Sequence, residues 1–320
     1  MRNKEASLKV ALLGTGSMGK NHLRVLSMLR GVEICQIFDI NENELKNLSS
    51  QYSVPYTMDI EEAIEEADAV LIATSTSTHY EYFTKCVEKV KNIFIEKPLA
   101  INFEEACLME ALALKHNTFV QCGFIERFNP VISALKNVIS EKDIINMDFT
   151  RTNRLSRRIS DVDVILDLMI HDLDLALFLN GPVKNIVAYG KNEDNLVAFA
   201  TVILEHNNGT LSRVLASRMT EKKMRNIQVT TSDSFIDVEL VSKELVLHRQ
   251  SSISKQKGDG YTISSFEEKL EVKPQEALLV ECQKFIAACN GDIDPDIPDI
   301  KAGIESLKLC KDIYEKIRND

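Results

Sequence analysis

Along the first 122 residues, short apolar runs alternate with longer stretches in which apolar positions recur every three or four residues. A run of four to six apolar residues suits a strand covered on both faces, whereas the three-to-four spacing suits a helix with one buried stripe. The predicted strands are Lys9–Leu13, Glu33–Phe38, Ala69–Ala73, Asn92–Ile95 and Thr118–Cys122, separated by helices near 18–30, 42–52, 60–66, 78–90 and 103–116. This rhythm predicts an α/β domain over residues 1–122, a doubly wound parallel sheet with helices on both faces.

After Gly123 the pattern changes. A helix over about 129–140 opens with Pro130 at its first position, and another spans about 164–179, ending before Gly181-Pro182. Strand then follows strand, at 183–190, 196–205, 210–217, 225–231, 234–239, 244–249 and 266–272, with turn pairs such as Asn208-Gly209 between them. Ser251–Gly260 reads as an exposed loop. Two helices close the chain, from Pro274 to about 289 and from about 299 to 318. Residues 123–320 are thus expected to form an α+β domain with a large, mostly antiparallel open sheet. With few helices to cover it, one face is expected to stay open, and Val197–Leu204 and Leu211–Leu215 supply apolar residues to it. Such a face tends to become an interface, so a homodimer or homotetramer built through this substrate-binding and oligomerisation domain is expected.

A chain of 320 residues with 44% hydrophobic and 27% charged positions belongs among ordinary globular proteins. It holds no apolar run near the roughly 18 residues a membrane helix needs, and Leu8–Leu13 is too short for a signal peptide, so a cytoplasmic location is expected. The seven cysteines form no C-x-x-C pair, which suggests reduced thiols and neither a disulfide framework nor a zinc cage. A net charge of -10 argues against nucleic acid and anionic membranes as partners. Positive charge is concentrated only at 151–158 (RTNRLSRR), where Arg151, Arg154, Arg157 and Arg158 have no acidic neighbour. This stretch is either a solvated basic loop or, with Arg127, a site for an anion held by forked, charge-assisted hydrogen bonds.

Gly14-Thr15-Gly16-Ser17-Met18-Gly19 follows the first predicted strand and opens the first predicted helix, the setting in which G-x-G-x-x-G marks a Rossmann pyrophosphate-binding turn. The chain has only 12 glycines, and three lie in these six positions. Asp39 ends the next strand, placed to accept from a ribose 2′-hydroxyl and to repel a 2′-phosphate. No Arg or Lys follows closely, so NAD is expected over NADP.

Lys97 lies just past a predicted strand's carboxyl end, where open α/β sheets bind ligands; from position alone it is equally a surface lysine. Asp167 and His171 are four apart and share a helical face, on a segment apolar almost all round, so buried polar groups there need partners. Asp172 and Asp174 fall 100° and 300° around that helix from His171 and cannot all converge with it on a metal without another element. No metal is expected.

At Ile95-Glu96-Lys97-Pro98-Leu99 the chain resembles the glucose-fructose oxidoreductase/inositol dehydrogenase family, Gfo/Idh/MocA. The Gly-rich turn, the A-T-x-x-x-x-H segment Ala73–His79, E-K-P and D-x-x-x-H appear in the family's order, with Ser75 in place of a frequent proline. The resemblance implies NAD bound by Gly14, Gly16, Ser17, Met18, Gly19, Asp39, Thr74, His79, Glu96 and Lys97, with Lys97, Asp167 and His171 catalytic. Glu126–Pro130, the arginine cluster and Asp161–Asp174 resemble the branch that oxidises the 3-hydroxyl of UDP-N-acetylglucosamine for diamino sugars of lipid A or other surface glycans. This implies a UDP-sugar substrate met by Arg127, Asn129, Arg154, Arg157 and Arg158. The alternatives are a dehydrogenase of a free polyol such as an inositol and a non-catalytic NAD-binding sensor.

Overall fold

The computed structural model describes residues 7–139, 144–153, 162–193, 195–255 and 261–319. The chain divides into two compact units, one of residues 1–128 with 276–308 and one of residues 129–275 with 309–320.

The first unit runs β1 (Leu8–Leu13), α1 (Ser17–Leu26), β2 (Val32–Phe38), α2 (Glu42–Tyr52), β3 (Tyr56–Thr57), α3 (Ile60–Ile64), β4 (Ala69–Ile72), α4 (His79–Cys86), β5 (Asn92–Glu96), α5 (Phe103–His116) and β6 (Phe119–Gly123). All six strands are parallel, in the order β3-β2-β1-β4-β5-β6, and the order reverses between β1 and β4. Asn41, Asp59 and Asn102 fix three helix starts by accepting from the amides of Glu44, Glu61 and Glu105. Val10, Leu12, Leu23, Ile37, Leu71 and Phe94 form the core between sheet and helices.

The second unit contains α6 (Pro130–Val138), β7 (Ile144–Thr152), α7 (Ile170–Asn180), β8 (Val183–Glu193), β9 (Leu196–His206), β10 (Leu211–Ser217), β11 (Met224–Thr231), β12 (Ser234–Glu239), β13 (Glu244–Lys255) and β14 (Tyr261–Leu270). Its eight-stranded sheet has the order β14-β13-β12-β11-β7-β10-β9-β8 and is antiparallel except where β7 and β10 run parallel. Helix α7 packs on β7 and β10, in the buried row of Val202, Val214, Phe149 and Ile227, and α6 packs on β12 and β13. Pro130 sits at the first position of α6, with Asn129 as its cap.

Three expectations need revision. Strand β7 was not foreseen, although it lies in the middle of the sheet; its inward residues are Met147, Phe149 and Arg151, and the charged third member breaks the apolar alternation. The loop expected at 251–260 is strand as far as Lys255, paired with β14; residues 256–260 lie outside the described residues. The final helices are α8 (Ala277–Cys289) and α9 (Ile300–Asn319), and residues 276–308 belong to the first unit. Leu278 and Cys282 of α8 pack on Val25, and Phe285 meets Phe94 edge to face at 5.7 Å.

The sheet face away from α6 and α7 is mixed in character. Val187, Tyr189, Ile203, Leu211 and Phe235 are exposed on it, but the register that aligns Val187 with Ile203 continues to Arg213, Asp148, Gln228 and Asp237. The strand period of two sends half of each apolar run inward, so Ala198, Ala200, Val202 and Val214 serve the core.

Candidate functional site

In the first unit, a cleft of about 370 Å3 opens at the carboxyl ends of β1, β2 and β4, lined by Gly14, Gly16, Ser17, Met18, Phe38, Asp39, Ile40, Ala73, Thr74, Ser75, Thr78 and Tyr82. This is where the strand order reverses, the usual place for ligands in such sheets. The three glycines serve the turn for different reasons. Gly14 has φ +94°, and a Cβ there would lie 2.6 Å from the Ala73 carbonyl oxygen; a Cβ on Gly19 would lie 2.0 Å from the Gly14 carbonyl oxygen. Gly16 is exposed at the N-cap of α1, which no side chain caps, so the first amides of α1 are available to an anion at the cleft.

Asp39 lines this cleft half-buried. Its Oδ2 accepts from the Thr15 amide at 2.6 Å and the Thr15 hydroxyl at 2.8 Å, and its Oδ1 accepts from the Asn41 amide at 3.0 Å. Desolvation opposes ionisation, but these hydrogen bonds prevail and hold the carboxyl below its ordinary range. Thr15 was not singled out from the sequence, because a threonine inside a glycine-rich turn carries no pattern of its own.

Of the remaining expected cofactor residues, Thr74 lines the cleft, whereas Gly19, His79, Glu96 and Lys97 do not. His79 is buried, with Nδ1 3.0 Å from the Pro98 carbonyl oxygen and Nε2 3.2 Å from that of Thr74; burial lowers its pKa. It therefore ties the Thr74 loop to the segment after β5. Glu96 is buried as well: Oε1 accepts from His22 Nε2 at 2.7 Å, and Oε2 accepts from the Lys97 amide at 3.2 Å. The other ring nitrogen of His22 lies 3.5 Å from Cys282 Sγ. Lys97 is half-buried at the carboxyl end of β5, and the Lys97–Pro98 peptide is cis. Glu281 is fully buried near Glu96 with neither carboxyl oxygen hydrogen-bonded, and desolvation first, then the Glu96 charge, push its pKa well up.

In the second unit, Asp167 lies in a widened turn over Ile165–Met169, closed by a hydrogen bond from the Ile170 amide to the Ile165 carbonyl, and His171 follows in α7. Such i→i+5 turns are rare and frequent at functional sites. Asp163 Oδ1 accepts from the amides of Ile165 and Leu166, and Asp163 Oδ2 accepts from the Tyr314 hydroxyl. Asp167 Oδ2 accepts from Arg218 Nη2 at 2.7 Å. No motif pointed to Arg218, a lone basic residue after an apolar strand.

The arginine cluster resolves in part. Arg151 is buried inside the sheet, where Nε and Nη2 donate to the two carboxylate oxygens of Asp172, each at 2.8 Å. It is not part of a solvated loop, and Asp172 is committed to it. Asn129, expected to meet substrate, is buried and used by the fold: Oδ1 accepts from the Val131 amide, and Nδ2 donates to the Leu240 carbonyl. Arg127 is half-buried in the short 3-10 turn before α6, while Arg154, Arg157 and Arg158 lie outside the described residues. Among the described residues no three His, Cys, Asp or Glu side chains gather as a metal would require, and no helix is long and apolar enough to cross a membrane. All seven cysteines are free; burial pushes Cys35 up to about 11 and Cys86 up to about 12.

Comparison with known proteins matches residues 8–124 to an oxidoreductase family, NAD-binding Rossmann fold, and residues 144–236 to the GFO/IDH/MocA C-terminal domain. UDP-N-acetylglucosamine 3-dehydrogenase of Acidithiobacillus ferrooxidans is 25% identical over 287 residues, 88% of each chain. Inositol 2-dehydrogenase of Rhizobium meliloti is 28% identical over 325 residues, 95% of each chain. A solved structure of the Acidithiobacillus ferrooxidans dehydrogenase superposes with a TM-score of 0.87 at 24% identity, covering 98% of each chain, a likeness of fold.

Proposed function

Because the chain belongs to the Gfo/Idh/MocA family of NAD-binding oxidoreductases, we propose that it oxidises the 3-hydroxyl of a UDP-linked N-acetylhexosamine. UDP-N-acetylglucosamine is the first candidate, and the 3-keto product suits later amination in the cytoplasm toward diamino sugars of surface glycans. The observation that carries this reading is the similarity to a UDP-N-acetylglucosamine 3-dehydrogenase over 88% of the chain. The arginines at 154, 157 and 158 add to it, because in a chain of net charge -10 they offer a local counter-charge for a diphosphate. Their number is three once Arg151 is assigned to Asp172.

Removing hydride from a secondary alcohol requires a base for the hydroxyl proton and a partner for the developing alkoxide. When bound, NAD would supply the hydride acceptor. Gly14, Gly16, Ser17 and Met18 around the start of α1 would hold its pyrophosphate, and Asp39 would accept from its adenosine ribose. Lys97 holds the alkoxide, His171 takes the proton, and Asp167 orients the sugar ring; Glu96, through the Lys97 amide, fixes the backbone from which Lys97 extends.

A second reading, oxidation of a free polyol, is favoured by the 28% identity to an inositol 2-dehydrogenase over 95% of the chain. A non-catalytic sensor is disfavoured by the joint presence of Lys97, Asp167 and His171. Following NADH formation with UDP-N-acetylglucosamine, UDP-glucose and myo-inositol separates the three. Turnover confined to UDP-sugars is expected, with KM raised in Arg157→Ala or Arg158→Ala. Turnover of myo-inositol alone would replace the first reading by the second, and tight NAD binding without turnover of any polyol would favour the sensor.

A further inference from the structure

We propose that Arg218 is the positioning residue for Asp167, holding its carboxylate in the orientation that sugar oxidation requires; this rests on the function proposed above. Arg218 follows β10 directly, with its amide donating to the Ala198 carbonyl at 2.8 Å. Its side chain is 8% exposed and that of Asp167 18% exposed. Within this buried setting the guanidinium works in two directions. Nη1 donates to the Val162 carbonyl, and Nη2 lies 3.4 Å from the Asp163 carbonyl oxygen. Nη2 also donates to Asp167 Oδ2 at 2.7 Å. One planar group thus grips both the backbone entering the widened turn and the side chain the turn presents.

That double grip matters because an i→i+5 turn is a rare interruption of helical geometry, often found at functional sites, so the groups that hold it fix what it presents. Asp163 caps the turn, Tyr314 holds Asp163, and Arg218 alone of these three also reaches the Asp167 carboxylate. A fork of fixed geometry suits this work better than a flexible ammonium. An Asp167 oxygen bonded to a guanidinium orients the substrate as an acceptor, which leaves the hydroxyl proton to His171.

The test compares wild type, Arg218→Met, Arg218→Lys, Asp167→Asn and the double variant Arg218→Met/Asp167→Asn, each checked for cooperative unfolding and NAD affinity. With UDP-N-acetylglucosamine, Arg218→Met is expected to lower kcat on the order of a hundredfold, as misplacement of a reacting group by about 1 Å does. KM should change by less than about threefold, and NAD affinity should hold. Arg218→Lys should recover part of kcat. In the Asp167→Asn background, Arg218→Met should cost little more, because both changes remove one coupled unit. Full kcat in Arg218→Met with a slow Asp167→Asn would overturn the assignment to Arg218 while leaving the proposed reaction intact, and so would additive losses in the double variant. If Arg218→Met does not fold, wild-type kcat in Arg218→Lys would overturn it equally. Wild-type protein that turns over no sugar or polyol would overturn the proposed function, and this inference with it.

Discussion

Asp39 Oδ2 receives two hydrogen bonds from a single residue, the amide and the hydroxyl of Thr15, so the carboxylate that follows β2 is locked to the glycine-rich turn after β1. The same bonds that hold Asp39 in the cleft hold its pKa below the ordinary value. Two outcomes are expected. Asp39→Ala should narrow the preference for NAD over NADP, read from the two dissociation constants; equal affinities in the wild type would remove Asp39 from the ribose.

The second outcome concerns pH. A carboxyl with a depressed folded pKa stabilises the fold above its unfolded pKa, near 4, and that contribution vanishes as pH falls through the folded value. The stability lost in Asp39→Asn should therefore be present at pH 7 and shrink below about pH 4 in denaturant titrations. A loss independent of pH would show that the carboxylate charge is not what the turn uses.

Arg151 is expected to be structural. Removing one partner of a buried, bidentate ion pair strands the other, at a cost of about 3–5 kcal/mol. Arg151→Ala should lower the unfolding free energy on that scale, and Asp172→Ala comparably, whereas the double change to apolar residues should recover much of it. A KM effect for a nucleotide sugar without loss of stability would return Arg151 to the anion site.

Much of the cofactor cleft was legible in the sequence because its constraints are local. Gly14 needs a positive φ, Gly19 lets a helix approach a turn, and each sits where a six-residue motif shows it. The second unit was less legible. Strand β7 hid behind the inward-facing Arg151, whose partner Asp172 is 21 residues away, and Arg218 meets Asp167 across 51 residues. Pairings at such separations leave no period to read, and the same holds for α8, whose return to the first unit is carried by Leu278, Cys282 and Phe285 meeting Val25 and Phe94.

Glu281 is expected to make stability fall as pH rises. Burial, and then the Glu96 charge, push its carboxyl well above the ordinary range, so above its unfolded pKa of about 4.3 the unfolded chain loses the proton first, which favours unfolding by up to about 1.4 kcal/mol per pH unit until the folded group titrates. Glu281→Gln removes this penalty. Its advantage over wild type should be small near pH 4 and large at pH 8; a constant difference would mean that Glu281 is charged in the fold.

The open sheet face is expected to join copies of the chain. Exposed Val187, Tyr189, Ile203 and Leu211 supply apolar contact, while the Arg213–Asp148 pair, 2.7 Å apart on the same face, would fix register in a self-complementary interface. Light scattering at micromolar concentration should give a dimer or tetramer, reduced in size by Ile203→Glu. A monomeric wild type would sink the idea.

The last prediction separates chemistry from binding. Lys97 is fixed by Glu96 through its backbone amide and does not line the NAD cleft, and His171 stands on α7 in the second unit. Neither is expected to contribute to NAD affinity, so Lys97→Ala and His171→Ala should bind NAD like the wild type. Each removes a group proposed to act on the hydroxyl, and losing such a group typically costs about a hundredfold to ten-thousandfold in rate. Arg157→Ala and Arg158→Ala should behave in the opposite way: a contact to a distant diphosphate is equally strong in ground and transition states, so KM should rise while kcat stays near wild type. A His171→Ala protein that turns over at near wild-type rate would return Asp167 and His171 to a structural role. Arginine variants with unchanged KM would instead favour the polyol over the nucleotide sugar.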